Sequence, residues 1–350
     1  MSAAAPPARL ARLDGLRGIA ACGVAFCYHA RALFVEGSLD TGVPLLDWPH
    51  MYGWLFVDLF FVLSGYVFAH VYLGRGQLRG EADLKAFALA RFARLYPLHL
   101  VMLLVSVAAY WGANPNNTAL AFAGHLVMLQ AAVRPVAHSF IGPSWSLSVE
   151  VACYFLFAMA AISGARTLRL VTGGAILLGF ALLLANASAE GPWAADGFPR
   201  GFLGFFLGQG LWHARAGLAR VPGWALLAVM ALGAALPPAG PWGAILPFAG
   251  LVFPAAVVLG LRLRWLESRA LVWLGDRSYA IYLIHLVPRD LFLRWHGQLG
   301  GSAAEIVLGH LAFVLVSLIL ADLALRYLEM PARRAIRAAW ERREGTLAPA

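Results

Sequence analysis

The chain is a succession of apolar runs, most of them about as long as a helix needs to cross the roughly 30 Å hydrocarbon core of a bilayer. The runs lie at about 16–36, 53–73, 95–112, 145–162, 167–187, 201–214, 222–238, 243–261, 276–296 and 304–328. Composition agrees: 61% of residues are hydrophobic and 13% charged, against about 45–50% and about 25% in soluble domains. Twelve Trp and ten Tyr suit a protein with two membrane interfaces. The expected fold is all-α: a polytopic membrane helix bundle of about ten spanning helices with one short non-crossing or re-entrant helix. No soluble domain, linker or repeat is apparent. Residues 1–350 therefore read as a single integral membrane domain, with spans over about 16–328 and a basic cytoplasmic tail at 329–350.

Charge orients the spans. Arg9 and Arg12 place the N-terminus inside, with the first run an uncleaved span. The next loop carries Glu36, Asp40 and Asp47 and reads outside, whereas Arg75, Arg79, Lys85, Arg91 and Arg94 read inside. The eleventh apolar run, 119–133, is short and contains His125. If it crossed, the later clusters Arg166/Arg169, Arg215/Arg220, Arg262/Arg264/Arg269/Arg277 and Arg333/Arg334/Arg337/Arg342/Arg343 would all flip outward. It is read as non-crossing, which leaves both termini cytoplasmic and the loop with Glu190 and Asp196 outside. The net charge of +9 is thus loop charge beside lipid rather than a nucleic-acid footprint. Residues 74–95 read as a basic surface helix stopped by Pro97. Gly204 and Gly208 form a GxxxG, which implies close helix contact and nothing more.

An ionisable group inside lipid costs at least about 2.5–3.5 kcal/mol, so each is a functional candidate. They are Arg17, His29, Asp58, His70, His99, Glu150, His285 and Asp322. His29 lies near the outer end of the first span. It is either a base that takes a hydroxyl proton or a bonded core histidine. Glu150 follows Pro143 and Ser144, Ser146 and Ser148, which can start and cap a helix. It lies on the outer side like His29, and either orients an imidazole, binds a sugar hydroxyl or serves the helix start. Arg91 and Arg94 share one helix face and could grip phosphates or lipid headgroups. Tyr279, Tyr282 and His285 form a stripe whose polar tips must find partners inside the bundle. Asp58 has no physical account unless it faces a polar cavity or a cation, and Asp322 is read equally as a structural pair. Cys22, Cys27 and Cys153 form neither a disulfide framework nor a metal motif, and no metal is expected. No nucleophile elbow, dinucleotide fingerprint or H-E-x-x-H is present.

Six segments, in order, resemble acyltransferase family 3, the polytopic membrane O-acyltransferases. They are Leu13–Ala20 leading to His29, Phe56–Tyr66, Arg91–Pro97, Trp145–Glu150, Ser278–His285 and Glu329-Met330-Pro331. The resemblance implies acyl transfer from cytoplasmic acyl-CoA, typically acetyl-CoA, to an outer acceptor such as a cell-surface carbohydrate or glycolipid. It implies a bacterial inner membrane, with membrane lipid as a standing partner. Residue by residue, it implies His29 and Glu150 as catalytic and Arg17, Arg91 and Arg94 as donor-binding. Asp14, Trp145, Tyr279, Tyr282 and His285 are implied as substrate-binding. The family separates its first-span Arg and His by ten residues; here eleven lie between Arg17 and His29. One extra residue rotates His29 about 100° on a regular helix, so a π-bulge is predicted between them. Some relatives carry a soluble domain after the membrane part; here about twenty residues follow the last span, so the chain is expected to deliver the acyl group itself or pass it to a separate protein. The alternative is a transporter or flippase that uses the same buried charges, although internal symmetry between halves is not evident.

Overall fold

A computed structural model describes residues 9–74, 78, 80–185, 196–237 and 243–347. Arg75, Arg79 and Glu190, used above to orient loops, lie outside the described residues. In chain order the helices are α1 (Ala11–Cys22), α2 (Pro44–Tyr52), α3 (Phe56–Phe68), α4 (Glu81–Tyr110), α5 (Ala119–Leu126), α6 (Arg134–Ala137), α7 (Trp145–Ile162), α8 (Ala165–Ala185) and α9 (Gly197–His213). Then come α10 (Arg215–Leu218), α11 (Gly223–Ala235), α12 (Ile245–Pro247), α13 (Phe253–Gly260), α14 (Arg269–Ile284), α15 (Leu286–His296), α16 (Ala303–Ala324) and α17 (Met330–Leu347). Among the described residues there is no β-strand, only one isolated parallel bridge between Phe34 and Leu299. Among the described residues, five helical stretches are long and apolar enough to cross a membrane, against the ten runs expected from sequence: Pro44–Leu73, Glu81–Tyr110, Gly142–Ile162, Ala165–Ala185 and Ala303–Arg343. Gly223–Ala235 and Ile245–Gly260 are shorter apolar helices.

The chain forms two compact units. The first comprises Met1–Val24, Met51–Arg79 and Val149–Ser278. Its centre is the packing of α3 on α9, and small residues set the approach. A Cβ on Gly208 would fall on the Val62 carbonyl, and one on Gly204 would meet the Phe61 Cβ at 2.8 Å. This is the close contact that the GxxxG implied. Gly208→Ala is expected to lower the thermal midpoint, because a backbone carbonyl cannot swing aside and the helices must separate, at about 1–3 kcal/mol. Gly210, on the same helix with open space around it, is the control. Gly210→Ala should leave the midpoint unchanged or raise it, and equal effects at the two sites would refute the contact argument.

The second unit comprises Ala25–His50, Gly80–Ser148 and Tyr279–Ala350. Here the expectation that Pro97 ends a surface helix is wrong. α4 runs for 30 residues with Pro97 inside it, so the basic segment and the following apolar run are one helix. Pro97 has no N–H for Ala93 O and its ring crowds that carbonyl, a disturbance that membrane helices tolerate where neighbouring helices hold the turn. The Tyr279 hydroxyl donates to Leu95 O at 2.6 Å, two residues before the proline.

Within the 119–133 run, α5 has eight residues and is capped by the Thr118 hydroxyl. At about 12 Å it is too short to cross as an α-helix. It is pinned from inside by a buried polar network. His99 Nε2 meets His125 O at 2.9 Å, and His125 Nε2 meets Ser139 Oγ at 3.1 Å.

The first span shows the predicted distortion. Gly23–Tyr28 is π-helical, between Arg17 and His29. A wider turn of this kind holds one additional residue, which answers the one-residue excess in the sequence. The predicted span 276–296 is not one helix but two, α14 and α15, that meet at His285.

Candidate functional site

His29 opens a short 3-10 turn, His29–Leu33, directly after the π-helical segment. Its Nδ1 lies 2.7 Å from Nε2 of His285. The two ring planes differ by 24° and their centroids are 4.9 Å apart, an edge-to-edge meeting through nitrogen rather than a face stack. His285 is fully buried, whereas His29 keeps part of its surface exposed. His285 Nδ1 in turn meets Ile281 O at 3.0 Å, one helical turn back.

The stripe expected from Tyr279, Tyr282 and His285 is buried and its polar tips have partners. Tyr282 Oη donates to Pro143 O at 2.9 Å and lies 3.0 Å from Ser146 Oγ. Trp145, also expected at the substrate, is buried at the start of α7. Ser144 and Ser146 donate backward to Ile141 O and Pro143 O at 2.8 and 3.2 Å. Ser148 Oγ accepts from the Ala131 amide at 3.3 Å. These serines tie down the segment before α7, a different duty from the helix capping expected of them.

In the first unit, Glu150 is held by two hydroxyls on one oxygen. Ser64 Oγ donates to Oε1 at 2.7 Å and Tyr154 Oη at 2.5 Å. Tyr154 lies four residues on along α7, the spacing that stacks side chains on one face. Ser64 is thus a partner of this carboxylate, and the next residue, Gly65, packs against the Phe205 carbonyl. Asp14 binds Arg17 at 2.7 Å and Arg9 at 2.6 Å, and Arg9 also reaches Asp276. Arg17 thus comes with its own carboxylate. Arg9, outside the spans, has its guanidinium pKa raised chiefly by the hydrogen bond it donates to Asp14.

Two arrangements were not visible in the sequence. The first is Glu329, 1% exposed, whose Oε2 accepts from Arg94 at 2.7 Å and from Arg333 at 2.6 Å. One buried carboxylate thereby joins α4 to α17 and sets two guanidiniums side by side. The second is Arg200, which binds Asp58 through Nε at 2.9 Å and Nη2 at 2.7 Å, with both side chains fully buried. This accounts for Asp58, for which the sequence offered no partner. Asp196 stands near the pair at the head of α9. Its carboxyl pKa is raised by burial, against the pull of Arg200. Asp322 is the structural pair considered above, bound to Arg326 at 2.8 Å.

Membrane-length apolar helices with histidine, carboxylate and guanidinium groups held between them make this an integral membrane protein with polar chemistry inside it. The chain belongs to acyltransferase family 3: the acyltransferase domain that defines the family matches residues 10–322. It is therefore an enzyme that transfers acyl groups. Acyltransferase MdmB of Streptomyces mycarofaciens is 31% identical over 354 residues, with 88% of each chain covered. Protein 2 in the picA locus of Rhizobium radiobacter is 32% identical over 173 residues, covering 44% of this chain and 83% of that one. Peptidoglycan O-acetyltransferase OatA of Listeria monocytogenes is 34% identical over 95 residues, 27% of this chain and 13% of OatA. No solved structure matches.

Proposed function

We propose that this enzyme moves an acyl group, acetyl foremost, from cytoplasmic acyl-CoA to a hydroxyl of an extracytoplasmic carbohydrate or glycolipid. The membrane is a bacterial inner membrane, crossed about ten times by a single catalytic domain with both termini cytoplasmic. The observation that carries the reading is the His29–His285 contact, which engages Nδ1 of the partly exposed residue His29 and leaves Nε2 as the nitrogen for proton transfer. His29 Nε2 takes the acceptor proton as its oxygen attacks the thioester carbonyl. The C–O bond forms, the C–S bond breaks, and the proton passes to the departing thiolate. Glu150, fixed by Ser64 and Tyr154, binds a hydroxyl of the acceptor. Asp14 and Trp145, with Tyr279, Tyr282 and His285, shape the surroundings of the substrates. Arg91 and Arg94, and separately Arg17, bind phosphates of the donor. An O-acetyltransferase name among the relatives supports the acetyl and envelope parts of this reading.

The test is the full chain in nanodiscs with labelled acetyl-CoA and isolated envelope glycans or lipid-linked sugars. Label should move to an ester on the acceptor. Acceptor translocation without any need for acyl-CoA would replace this reading with a transporter or flippase. Glu329→Gln should raise KM for acetyl-CoA about tenfold, the scale of one charge-assisted bond. Without the carboxylate, Arg94 and Arg333 repel and lose their shared orientation. A fall in KM would instead mean that Glu329 competes with the donor phosphates.

A further inference from the structure

We propose that His285 is a positioning residue which fixes the tautomer of His29 and shares the positive charge that His29 gains when its Nε2 is protonated; this rests on the reading of His29 as the base. Ile281 O can only accept, so the 3.0 Å contact requires the proton of His285 on Nδ1. Neutral His285 then presents a bare lone pair at Nε2. His29 Nδ1, 2.7 Å away, must be the donor. A neutral His29 with its hydrogen on Nδ1 has its lone pair on Nε2, the form needed to take a proton from a hydroxyl. In free imidazole side chains nothing holds that tautomer; here the second ring does.

Burial separates the two roles. His285 is fully buried and cannot meet a substrate, while His29 retains exposed surface. This departs from the expectation that His285 binds substrate directly. The joint between the two helices lies one turn before Pro288, which has no N–H to offer the Ile284 carbonyl. With α14 ending at Ile284 and α15 starting at Leu286, the ring sits at a joint where its Nδ1 reaches back to Ile281. When His29 becomes imidazolium, its Nδ1–H bond to His285 strengthens, as charge-assisted bonds do. The positive charge is then spread along a line that ends on a helix carbonyl. A carboxylate in the same place would add a negative charge that favours the imidazolium; a second imidazole orients His29 through the same bond without adding a charge.

Three variants of the full chain in nanodiscs test this. His285→Met removes the acceptor at similar volume and should lower kcat about 10²-fold, with KM for donor and acceptor within about twofold of wild type. His285→Gln, whose Oε1 reaches where Nε2 was, should recover at least about tenfold of that loss. Equal losses in Met and Gln accompanied by a lower thermal midpoint would show a merely structural role and overturn the proposal. So would a Met variant with wild-type kcat. Independently of turnover, nitrogen NMR of histidine-labelled protein, with His29 assigned by its loss in His29→Gln, should show His29 protonated at Nδ1. It should relax toward Nε2 protonation in His285→Met. An Nε2-protonated His29 in the wild type would refute the tautomer argument. Transfer that persists in His29→Gln would refute the base instead, and leave the NMR result standing.

Discussion

His29→Gln is expected to lower kcat/KM for acyl transfer about 10³-fold, the middle of the range for loss of a positioned general base. Glutamine keeps a hydrogen-bonding side chain toward His285, so the helix joint should survive. What it lacks is a nitrogen lone pair with proton affinity near neutrality. The loss should therefore appear in kcat, with the protein eluting as a folded species at its wild-type thermal midpoint. Titration of labelled acetyl-CoA against the variant, at saturating acceptor, reads this directly. A variant with more than about a tenth of wild-type kcat would remove His29 from the chemistry. The Glu150 and arginine assignments would then need a different base.

The second large effect concerns stability. Asp58→Ala should destabilise the protein by about 3–5 kcal/mol, because it leaves the Arg200 guanidinium buried without its carboxylate. Both side chains are fully buried and joined by two bonds, at 2.9 and 2.7 Å, where α3 packs on α9. In thermal unfolding this is a fall of about 10 °C. The double variant Asp58→Leu with Arg200→Met should regain most of it. Apolar side chains of similar volume avoid the desolvation that the ion pair must overcome. Equal loss in single and double variants would mean that the pair does more than neutralise itself. A single variant at wild-type midpoint would mean that water reaches this site.

The contrast between these residues shows what could be read early. The membrane-length apolar runs, the helix contact at Gly204 and Gly208, and the π-helical excess between Arg17 and His29 are local properties. Each follows from spacing along the chain, since helical geometry converts residue number into rotation and rise. The stop assigned to Pro97 failed for the complementary reason. A proline weakens one turn, but whether the helix ends there depends on the neighbours packed against it, and Tyr279, which bonds Leu95 O beside the proline, lies 184 residues from Leu95.

Asp58 announced by its chemistry that it needed a partner, and nothing local named one. Arg200 lies 142 residues away, next to the start of the apolar run 201–214. Glu329 likewise sits 235 residues from Arg94. By itself, then, the amino-acid order determined an all-helical membrane chain and its family, and which side chains are too polar for lipid to leave alone. Only the tertiary structure decided their pairings: Asp58 with Arg200, Glu329 with Arg94 and Arg333, and His285 behind His29. The physical reason is that burial makes a partner obligatory for each charge or imidazole, while the choice of partner is set by which helices pack together.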